Sequence, residues 1–319
     1  MELISTILLF ALGVVLVIKG GDFFVDASTW IAERSGIPKL IIGATIVSMA
    51  TTMPEALVSA MAAAQGKVDM SIGNAVGSVT ANIGLIMALA LLCMPGAIRR
   101  RDYLLKSVLM LAAAALIAVC GAIGKVDLFV SIILLLIFAL FMGENIREAR
   151  KNMTQKQSAS KKRADESAAV VIANSAKFIV GAIGIVVGAQ LLVNNGSALA
   201  RLAGIPERVI GVTLVAIGTS LPELITTITA IVKKQSALSV GNILGANIID
   251  LTLIMPLSSL ISGQALPISS SFALIDLPAC LLVGLIALIP ALVSSRFHRW
   301  QGVLLLTVYG CYIAFTCLA

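Results

Sequence analysis

The chain has 319 residues, of which 59% are hydrophobic and only 12% are charged. About a quarter of the residues of a soluble domain are charged, so this composition excludes an ordinary water-soluble fold. The formal net charge of +7 does not indicate nucleic-acid binding, because the basic residues lie in the short segments between apolar runs. We therefore expect the lipid bilayer, and no nucleic acid, as the surroundings of this chain.

Ten apolar runs follow one another along the sequence. A helix needs about 20 apolar residues to cross the hydrocarbon core of a bilayer. The runs cover roughly residues 3–19, 40–64, 69–94, 104–121, 127–143, 170–193, 208–232, 237–262, 268–290 and 302–318. This pattern predicts an all-α integral membrane protein with ten transmembrane helices.

The basic residues predict how the chain crosses the membrane. Most of the 23 Lys and Arg residues fall on one side when the amino terminus is placed outside. Basic residues concentrate in cytoplasmic loops, so we predict a multi-pass protein of the plasma (inner) membrane. Both termini are then extracytoplasmic, and the central loop is cytoplasmic. The sequence does not indicate an oligomeric state.

The sequence contains an internal repeat at an offset of 168 residues. Residues 36–82 and 204–250 share 15 identical residues without a gap, including prolines, glycines, a glutamate and an asparagine. We predict a first five-helix repeat at 1–143, a basic cytoplasmic linker at 144–169 and a second five-helix repeat at 170–319. Because five is odd, the second repeat enters the membrane from the opposite side, which is an architecture typical of transporters.

Two glutamates within apolar runs are the strongest chemical signal. Thr51-Thr52-Met53-Pro54-Glu55 aligns with Thr219-Ser220-Leu221-Pro222-Glu223. A carboxylate at mid-bilayer costs at least about 2.5 kcal/mol and requires compensation. Proline also removes an amide hydrogen, which we expect to free the carbonyl of Ala50 inside the helix. Carboxylates, hydroxyls and carbonyls are hard oxygen ligands suited to Ca²⁺ or Na⁺.

The next helix of each repeat carries a polar stripe. Asn74, Ser78 and Asn82 recur every fourth residue and share one helix face. The aligned positions are Asn242, Ala246 and Asp250. Gly73 and Gly77 form a GxxxG pair, which is typical of close helix approach in membranes. In the first helices, Gly13 aligns with Gly181 and Gly20 with Gly188, so these two helices are candidates for a moving gate.

These segments resemble the two alpha-repeats of the sodium/calcium exchanger family, and most closely its small prokaryotic members within the cation/calcium exchanger superfamily. The resemblance covers the whole chain. It implies that Glu55 and Glu223 bind Ca²⁺, with Thr51 and Thr219 supplying backbone oxygens. It also implies Na⁺ sites that include Thr52, Ser78, Asn82, Ser220 and Asp250, with Asn74 and Asn242 in support.

Three positions depart from the family pattern. Ala50 replaces the usual glycine of the first motif, Thr52 replaces a serine, and Ala246 has no side-chain oxygen opposite Ser78. The loss of an oxygen at Ala246 bears on the number of Na⁺ sites. Asp250 opposite Asn82 resembles the potassium-dependent branch of the superfamily.

The expected function is secondary active antiport of Na⁺ against Ca²⁺ by alternating access. Proton-coupled or K⁺-dependent Ca²⁺/cation antiport remains the alternative. An intramembrane enzyme is not expected, because the sequence has no His/Asp metal cluster and no serine nucleophile with a base. We expect no cofactor; Ca²⁺ and Na⁺ are the transported substrates.

Overall fold

The structure is a computed structural model that describes residues 2–159, 168–204 and 218–318. These residues are almost entirely helical. The α-helices are α1 (Glu2–Ser35), α2 (Lys39–Ile42), α3 (Ser48–Thr51), α4 (Met53–Ala64), α5 (Val68–Ala81), α6 (Ala88–Cys93), α7 (Arg100–Ile123), α8 (Leu128–Ala159), α9 (Ala168–Leu202), α10 (Leu221–Val232), α11 (Ser236–Ile249), α12 (Met255–Ser262), α13 (Leu277–Ser294) and α14 (Arg299–Leu318). Four π-helical segments join some of them: π1 (Gly43–Val47), π2 (Asn82–Met87), π3 (Asp250–Ile254) and π4 (Phe272–Asp276).

Seven described helical segments are long and apolar enough to cross a membrane, or eight when a bent pair is counted as one. They are Leu3–Ser35, Val68–Cys93, Arg100–Ile123, Leu128–Thr154, Ala168–Leu202, Ser236–Ser262 and Phe272–Ser294, and the pair is Lys39–Thr51 with Met53–Ala64. Each overlaps one of the ten predicted runs. Of the other two runs, 208–232 begins outside the described residues and continues as the short helix α10, and 302–318 lies within α14.

The chain divides by internal contacts into two compact units. Unit 1 comprises residues 1–51 and 143–242, and unit 2 comprises residues 52–142 and 243–319. Each unit takes part of each sequence repeat, so the predicted division at 143 and 170 describes sequence similarity rather than packing and stays a prediction. Within the predicted linker, 144–159 continue helix α8, and 160–167 lie outside the described residues.

Unit 1 is built around the long helices α1 and α9, which pack along each other. Glycines permit this packing, because a Cβ on Gly20 would lie 2.8 Å from the backbone nitrogen of Ile185 and 2.9 Å from the carbonyl oxygen of Gly181. A Cβ on Gly13 would likewise lie 3.0 Å from the carbonyl oxygen of Gly188. The two helices therefore approach through backbone atoms.

Unit 2 packs α7 against α13 and α14 against α6. The unit also contains two pairs of two-residue strands. Strand β1 (Gly96–Ala97) pairs antiparallel with β4 (Arg296–Phe297), and β2 (Lys125–Val126) pairs antiparallel with β3 (Leu266–Pro267). The sequence did not predict these strands, because two residues are too short for an alternating pattern to be visible.

The backbone repeats its local features at the sequence offset. Gly36 and Gly204 both have φ near +78°, and both follow the end of a long helix. Segments π2 and π3 begin at Asn82 and Asp250, which are aligned residues. The repeat found in the sequence is thus expressed in local geometry.

Candidate cation-binding residues

The first repeated motif lies where one helix ends and another begins. Helix α3 ends at Thr51, Thr52 has φ −82° and ψ 0°, and α4 begins at Met53 with Pro54 in its first turn. Glu55 is the third residue of α4, and only 1% of it is exposed. The carboxylate is therefore buried at a helix amino terminus.

The second motif has the same local structure. Ser220, with φ −85° and ψ 6°, precedes α10, which begins Leu221-Pro222-Glu223. Glu223 is fully buried. Gly218, the residue that aligns with Ala50, lies against α9, and a Cβ there would fall 2.5 Å from a methyl group of Val193. A side chain at Gly218 would therefore have to displace Val193, whereas the first repeat accommodates Ala50 at the edge of an apolar cluster.

This arrangement refines the expected role of proline. The sequence predicted that Pro54 disrupts the helix and deprives the Ala50 carbonyl of its partner, and the structure has a break here, with α3 ending at Thr51 and α4 beginning at Met53. Proline at the start of a helix costs little, because its missing amide hydrogen belongs to a group without an intrahelical partner. The amino end of a helix carries a partial positive charge that stabilises a carboxylate. Helix termini therefore supply some of the compensation that Glu55 and Glu223 need.

In unit 2, the Glu55 motif is held by helix α5. The Asn74 side-chain amide donates to the Glu55 carbonyl oxygen at 3.1 Å and to Ser59 Oγ at 2.9 Å. Ser71 Oγ donates to the Ser59 carbonyl at 2.9 Å and lies 2.7 Å from Ser258 Oγ. This serine and asparagine network fixes the start of α4 against α5, and it was missed in the sequence apart from Asn74.

The polar stripe of α5 lies in the same unit and is buried. Ser78 and Asn82 are 3% and 1% exposed, and the polar atoms of both side chains have no hydrogen-bond partner among the described residues. Asn247 on α11 is also fully buried, and its side-chain oxygen and nitrogen lack partners there as well. Asp250, three residues later, begins π3 and is fully buried. Most buried polar atoms in proteins have a partner, so this group requires an explanation.

Asn247 was not predicted as a site residue, although a signal was available. It lies within the second repeated motif, and a spacing of three places it on the helix face of Asp250. The alignment of the two repeats did not point to Asn247, because the residue aligned with it is Val79.

In unit 1, two predicted site residues come together. Thr51 Oγ1 donates to Asn242 Oδ1 at 3.2 Å and also lies 3.4 Å from the Ser48 carbonyl oxygen. Ser220 is buried, and its hydroxyl has no partner among the described residues. Thr219 is partly exposed and adjoins it in the turn before α10. Thr52 is 2% exposed and lies at the start of unit 2.

The sequence predicted close helix contacts at the glycines of α5. No described atom lies within 4 Å of a Cβ built on Gly77, and Gly73 meets only the Phe272 ring at 3.9 Å. The aligned Gly241 instead lies directly against the backbone of α2, next to the Leu40 carbonyl. Gly241 is thus closely packed, whereas Gly73 and Gly77 have no close neighbour among the described residues.

Among the described residues, no group of three or more His, Cys, Asp or Glu side chains could hold a metal ion. Most buried polar side chains of the described residues are hydroxyls and amides, which are neutral oxygen ligands. Such ligand sets suit Na⁺ and Ca²⁺, which prefer oxygen and tolerate irregular geometry. The fold and these residues define an integral membrane protein whose helices are interrupted at duplicated buried carboxylates, as in secondary transporters.

Comparison with known proteins identifies the family. The sequence pattern of the sodium/calcium exchanger protein family matches residues 5–146 and 175–318, so the chain belongs to this family. An uncharacterized membrane protein of Methanocaldococcus jannaschii is 30% identical over 311 residues, which cover 96% of each chain. The inner membrane protein YrbG of Escherichia coli is 33% identical over 312 residues, which cover 95% of this chain and 94% of YrbG. A structure of the sodium-calcium exchanger NCX_Mj superimposes with a TM-score of 0.82 at 30% identity, covering 98% of this chain and 99% of the other.

Proposed function

We propose that this protein is a secondary antiporter that exchanges Na⁺ for Ca²⁺ by alternating access. The observation that carries the proposal is the group of buried polar side chains of Ser78, Asn82 and Asn247, which have no hydrogen-bond partner among the described residues and lie in the unit that also buries Glu55 and Asp250. Leaving such groups without partners costs about 1–3 kcal/mol each. A cation that binds the oxygens would recover this cost.

The proposed roles follow ligand chemistry and the family resemblance. Glu55 and Glu223 bind Ca²⁺, and Thr51 and Thr219 supply backbone oxygens. The Na⁺ ions take their ligands from hydroxyl, amide and carboxylate groups, namely those of Thr52, Ser78, Asn82, Ser220 and Asp250. Asn74 and Asn242 support these groups through hydrogen bonds. No cofactor is needed, because binding and conformational change are the whole reaction.

Exchange follows from competition for the same negative charge. One Ca²⁺ or several Na⁺ ions neutralise the carboxylates, whereas both together exceed the available ligands. An occupied and neutralised site lowers the cost of changing its exposure, and an empty site retains charge at mid-membrane. The protein then changes state with either cargo but not when empty, which yields antiport rather than leak.

Exchanged pairings within each unit support the proposal of two inverted repeats and ten spans. In unit 1, Gly13 contacts Gly188, and the aligned residues Gly181 and Gly20 contact each other. In unit 2, β1 of the first repeat pairs with β4 of the second, and β2 of the first repeat pairs with β3 of the second. Such reciprocal contacts are the signature of a two-fold relation between equivalent parts. An odd number of helices per repeat makes that relation an inversion across the membrane.

The α1–α9 contact is the proposed moving surface. At the four aligned glycines the backbones of the two helices meet directly, with side chains such as Val17 and Leu191 packed beside them. Close backbone contact at small residues leaves few side chains that must pass each other when the helices shift. The proposed orientation places both termini outside the cell and the basic central segment in the cytoplasm, as the distribution of basic residues indicates.

Related proteins carry names consistent with this proposal. A sodium/calcium exchanger, MaX1 of Methanosarcina acetivorans, is 41% identical over 88 residues, which cover 28% of this chain and 25% of MaX1. Structures of NCX_Mj were obtained after soaking with Na⁺ and with Sr²⁺ or Ca²⁺. The same cations are therefore the first substrates to assay.

The test uses purified protein in liposomes and measures radiolabelled Ca²⁺ uptake. We expect uptake when Na⁺ is inside and absent outside, and no comparable uptake with a pH gradient or a K⁺ gradient alone. Uptake driven by the pH gradient and not by Na⁺ would overturn the proposed coupling. Glu223→Gln should abolish uptake, whereas Glu144→Gln, at an ion pair with Arg147 outside the candidate residues, should retain it.

A further inference from the structure

The β1–β4 strand pair in unit 2 joins two basic segments that are about 200 residues apart in sequence. Ala97 is opposite Arg296 in the register, and the backbone nitrogen of Ile98 donates to the Ser295 carbonyl at 2.9 Å. Arg99-Arg100-Arg101 follows β1 directly, and Arg299 follows β4 after His298. The pairing therefore brings five arginines to one end of the unit.

All five arginines are exposed, and none has an ion pair with a carboxylate among the described residues. Arginine forms paired hydrogen bonds with phosphate oxygens, so a group of free guanidinium groups favours a phosphate ligand. Asp102 is the one acidic residue in the first turn of α7, and the first turn of α14 has none.

These arginines lie at the amino ends of two helices, which is an unfavourable place for positive charge. Helix α7 begins at Arg100 without a side-chain cap, and α14 begins at Arg299. Cations at a helix amino terminus oppose the helix dipole, whereas an anion there is stabilised by the dipole and by free amide hydrogens. The α14 end is partly satisfied, because the His298 amide donates to Gln301 Oε1 at 2.9 Å. A bound anion would therefore offset the unfavourable interaction between the arginines and the helix dipoles.

Exposed apolar side chains continue from the arginines along the same two helices. Leu104 and Val108 on α7 are 41% and 48% exposed, and Val303 on α14 is 57% exposed. Trp300 is half exposed beside Arg299, and tryptophan is enriched at membrane–water interfaces. A ligand with a phosphate at one end and an acyl chain at the other matches this surface, whereas a free phosphate would use only the arginines.

The other strand pair shows that this feature is not general to the fold. The β2–β3 pair is equivalent by the repeat to the β1–β4 pair, but Lys125 is its only charged residue. The neighbouring Asp127 caps α8, accepting a hydrogen bond from the Val130 amide at 3.0 Å. Among the described residues, the group of arginines is therefore found at only one of the two equivalent strand pairs.

We propose that the β1–β4 corner, by which we mean this strand pair and the five arginines beside it, binds the headgroup of an anionic phospholipid. Arg99 and Arg100 from one segment and Arg296 and Arg299 from the other hold the phosphate, and Trp300 lies at the level of the interface. The acyl chains lie against the exposed apolar residues of α7 and α14. This site is separate from the candidate cation ligands and does not depend on the exchange reaction.

The test is thermal unfolding of the purified protein in detergent with added phosphatidylglycerol, phosphatidylcholine or inorganic phosphate, together with native mass spectrometry of bound lipid. We expect phosphatidylglycerol to raise the unfolding midpoint by several degrees, and the other two additions to have little effect. Arg296→Gln/Arg299→Gln should weaken the apparent affinity for phosphatidylglycerol by about tenfold or more, since it removes charge-assisted bonds from one segment.

Two further variants make the result decisive. Arg99→Gln/Arg100→Gln removes the same charge from the other segment and should weaken binding as much, because the corner is shared. Arg150→Gln/Lys151→Gln removes two exposed charges from α8 and should leave binding unchanged. Equal loss in this control would show diffuse attraction to basic residues and overturn the proposal. An equal shift with inorganic phosphate would identify a free anion instead of a lipid and would also overturn it.

Discussion

Replacing Gly20 with alanine tests whether the α1–α9 contact is a close backbone surface. A Cβ at this position would lie 2.8 Å from Ile185 N and 2.9 Å from Gly181 O, where ordinary contacts begin at 3.4 Å. Both obstacles are backbone atoms, so no side-chain rotation relieves the overlap. The helices must separate locally by roughly 0.5 Å or more, and overpacking of this kind costs about 1–3 kcal/mol.

Gly310→Ala is the matched control. Gly310 lies within α14, and no described atom is within 4 Å of its Cβ position. Alanine is favoured over glycine in a helix interior by about 1 kcal/mol, so this variant should be as stable as the parent or more stable. The two variants differ only in whether the added methyl group meets the opposing backbone.

The assays are thermal unfolding in detergent and initial Ca²⁺ uptake in liposomes. Gly20→Ala should unfold at a lower temperature than Gly310→Ala and transport about tenfold more slowly, equivalent to about 1.4 kcal/mol of added barrier. If Gly20→Ala matches Gly310→Ala in both assays, α1 and α9 do not meet as described, and the proposed moving surface is wrong.

Three further predictions concern individual contacts. Asn74→Ala removes the hydrogen bonds to the Glu55 carbonyl and to Ser59, and it should raise the KM for Ca²⁺ while the protein remains folded in unfolding assays; an unchanged KM would contradict the supporting role. Lys233→Gln removes ion pairs to Asp22 at 3.3 Å and Asp26 at 2.7 Å; because all three side chains are partly exposed, the loss of stability should be at most about 1 kcal/mol and should vanish at high salt. Asp250→Asn should weaken the Na⁺ dependence of uptake more than its Ca²⁺ dependence, and the opposite order in the two titrations would refute the proposed Na⁺ role.

Much of the fold follows from hydrophobic pattern and repetition. Eight of the ten apolar runs correspond to span candidates, because a run of about 20 apolar residues satisfies the bilayer almost regardless of detail. The aligned motifs also located the two buried glutamates, because a carboxylate in an apolar run is conspicuous.

The local geometry was less predictable. Pro54 correctly predicted a distortion of the helix, but not that Thr51 ends one helix and Met53 begins another, which places Glu55 at a helix start. The π-helical segments at Asn82 and Asp250 left no periodic signal, because one extra residue per turn is invisible in a short apolar stretch. The exact helix ends and the π-helical segments depend on tertiary contacts, which the pattern of apolar residues does not reveal.

Two polar groups were missed because they depend on distant pairing. Ser71 meets Ser258 across 187 residues, and Tyr312 donates to Asp276 Oδ1 at 2.6 Å across 36 residues. Asp276 is an acidic residue within a predicted apolar run, which was an available signal. The sequence did not indicate Tyr312 as its partner, because a tyrosine in the last apolar run could equally have faced lipid.

The most direct test of the central proposal is to follow both ions in the same vesicles. Liposomes containing the purified protein are loaded with radiolabelled Na⁺ and diluted into medium with labelled Ca²⁺ and no Na⁺. We predict that Na⁺ efflux requires external Ca²⁺, that Ca²⁺ uptake requires internal Na⁺, and that Glu55→Gln and Glu223→Gln abolish both fluxes together. Ca²⁺ uptake that continues at the same rate without internal Na⁺ would contradict Na⁺/Ca²⁺ exchange as the function of this protein.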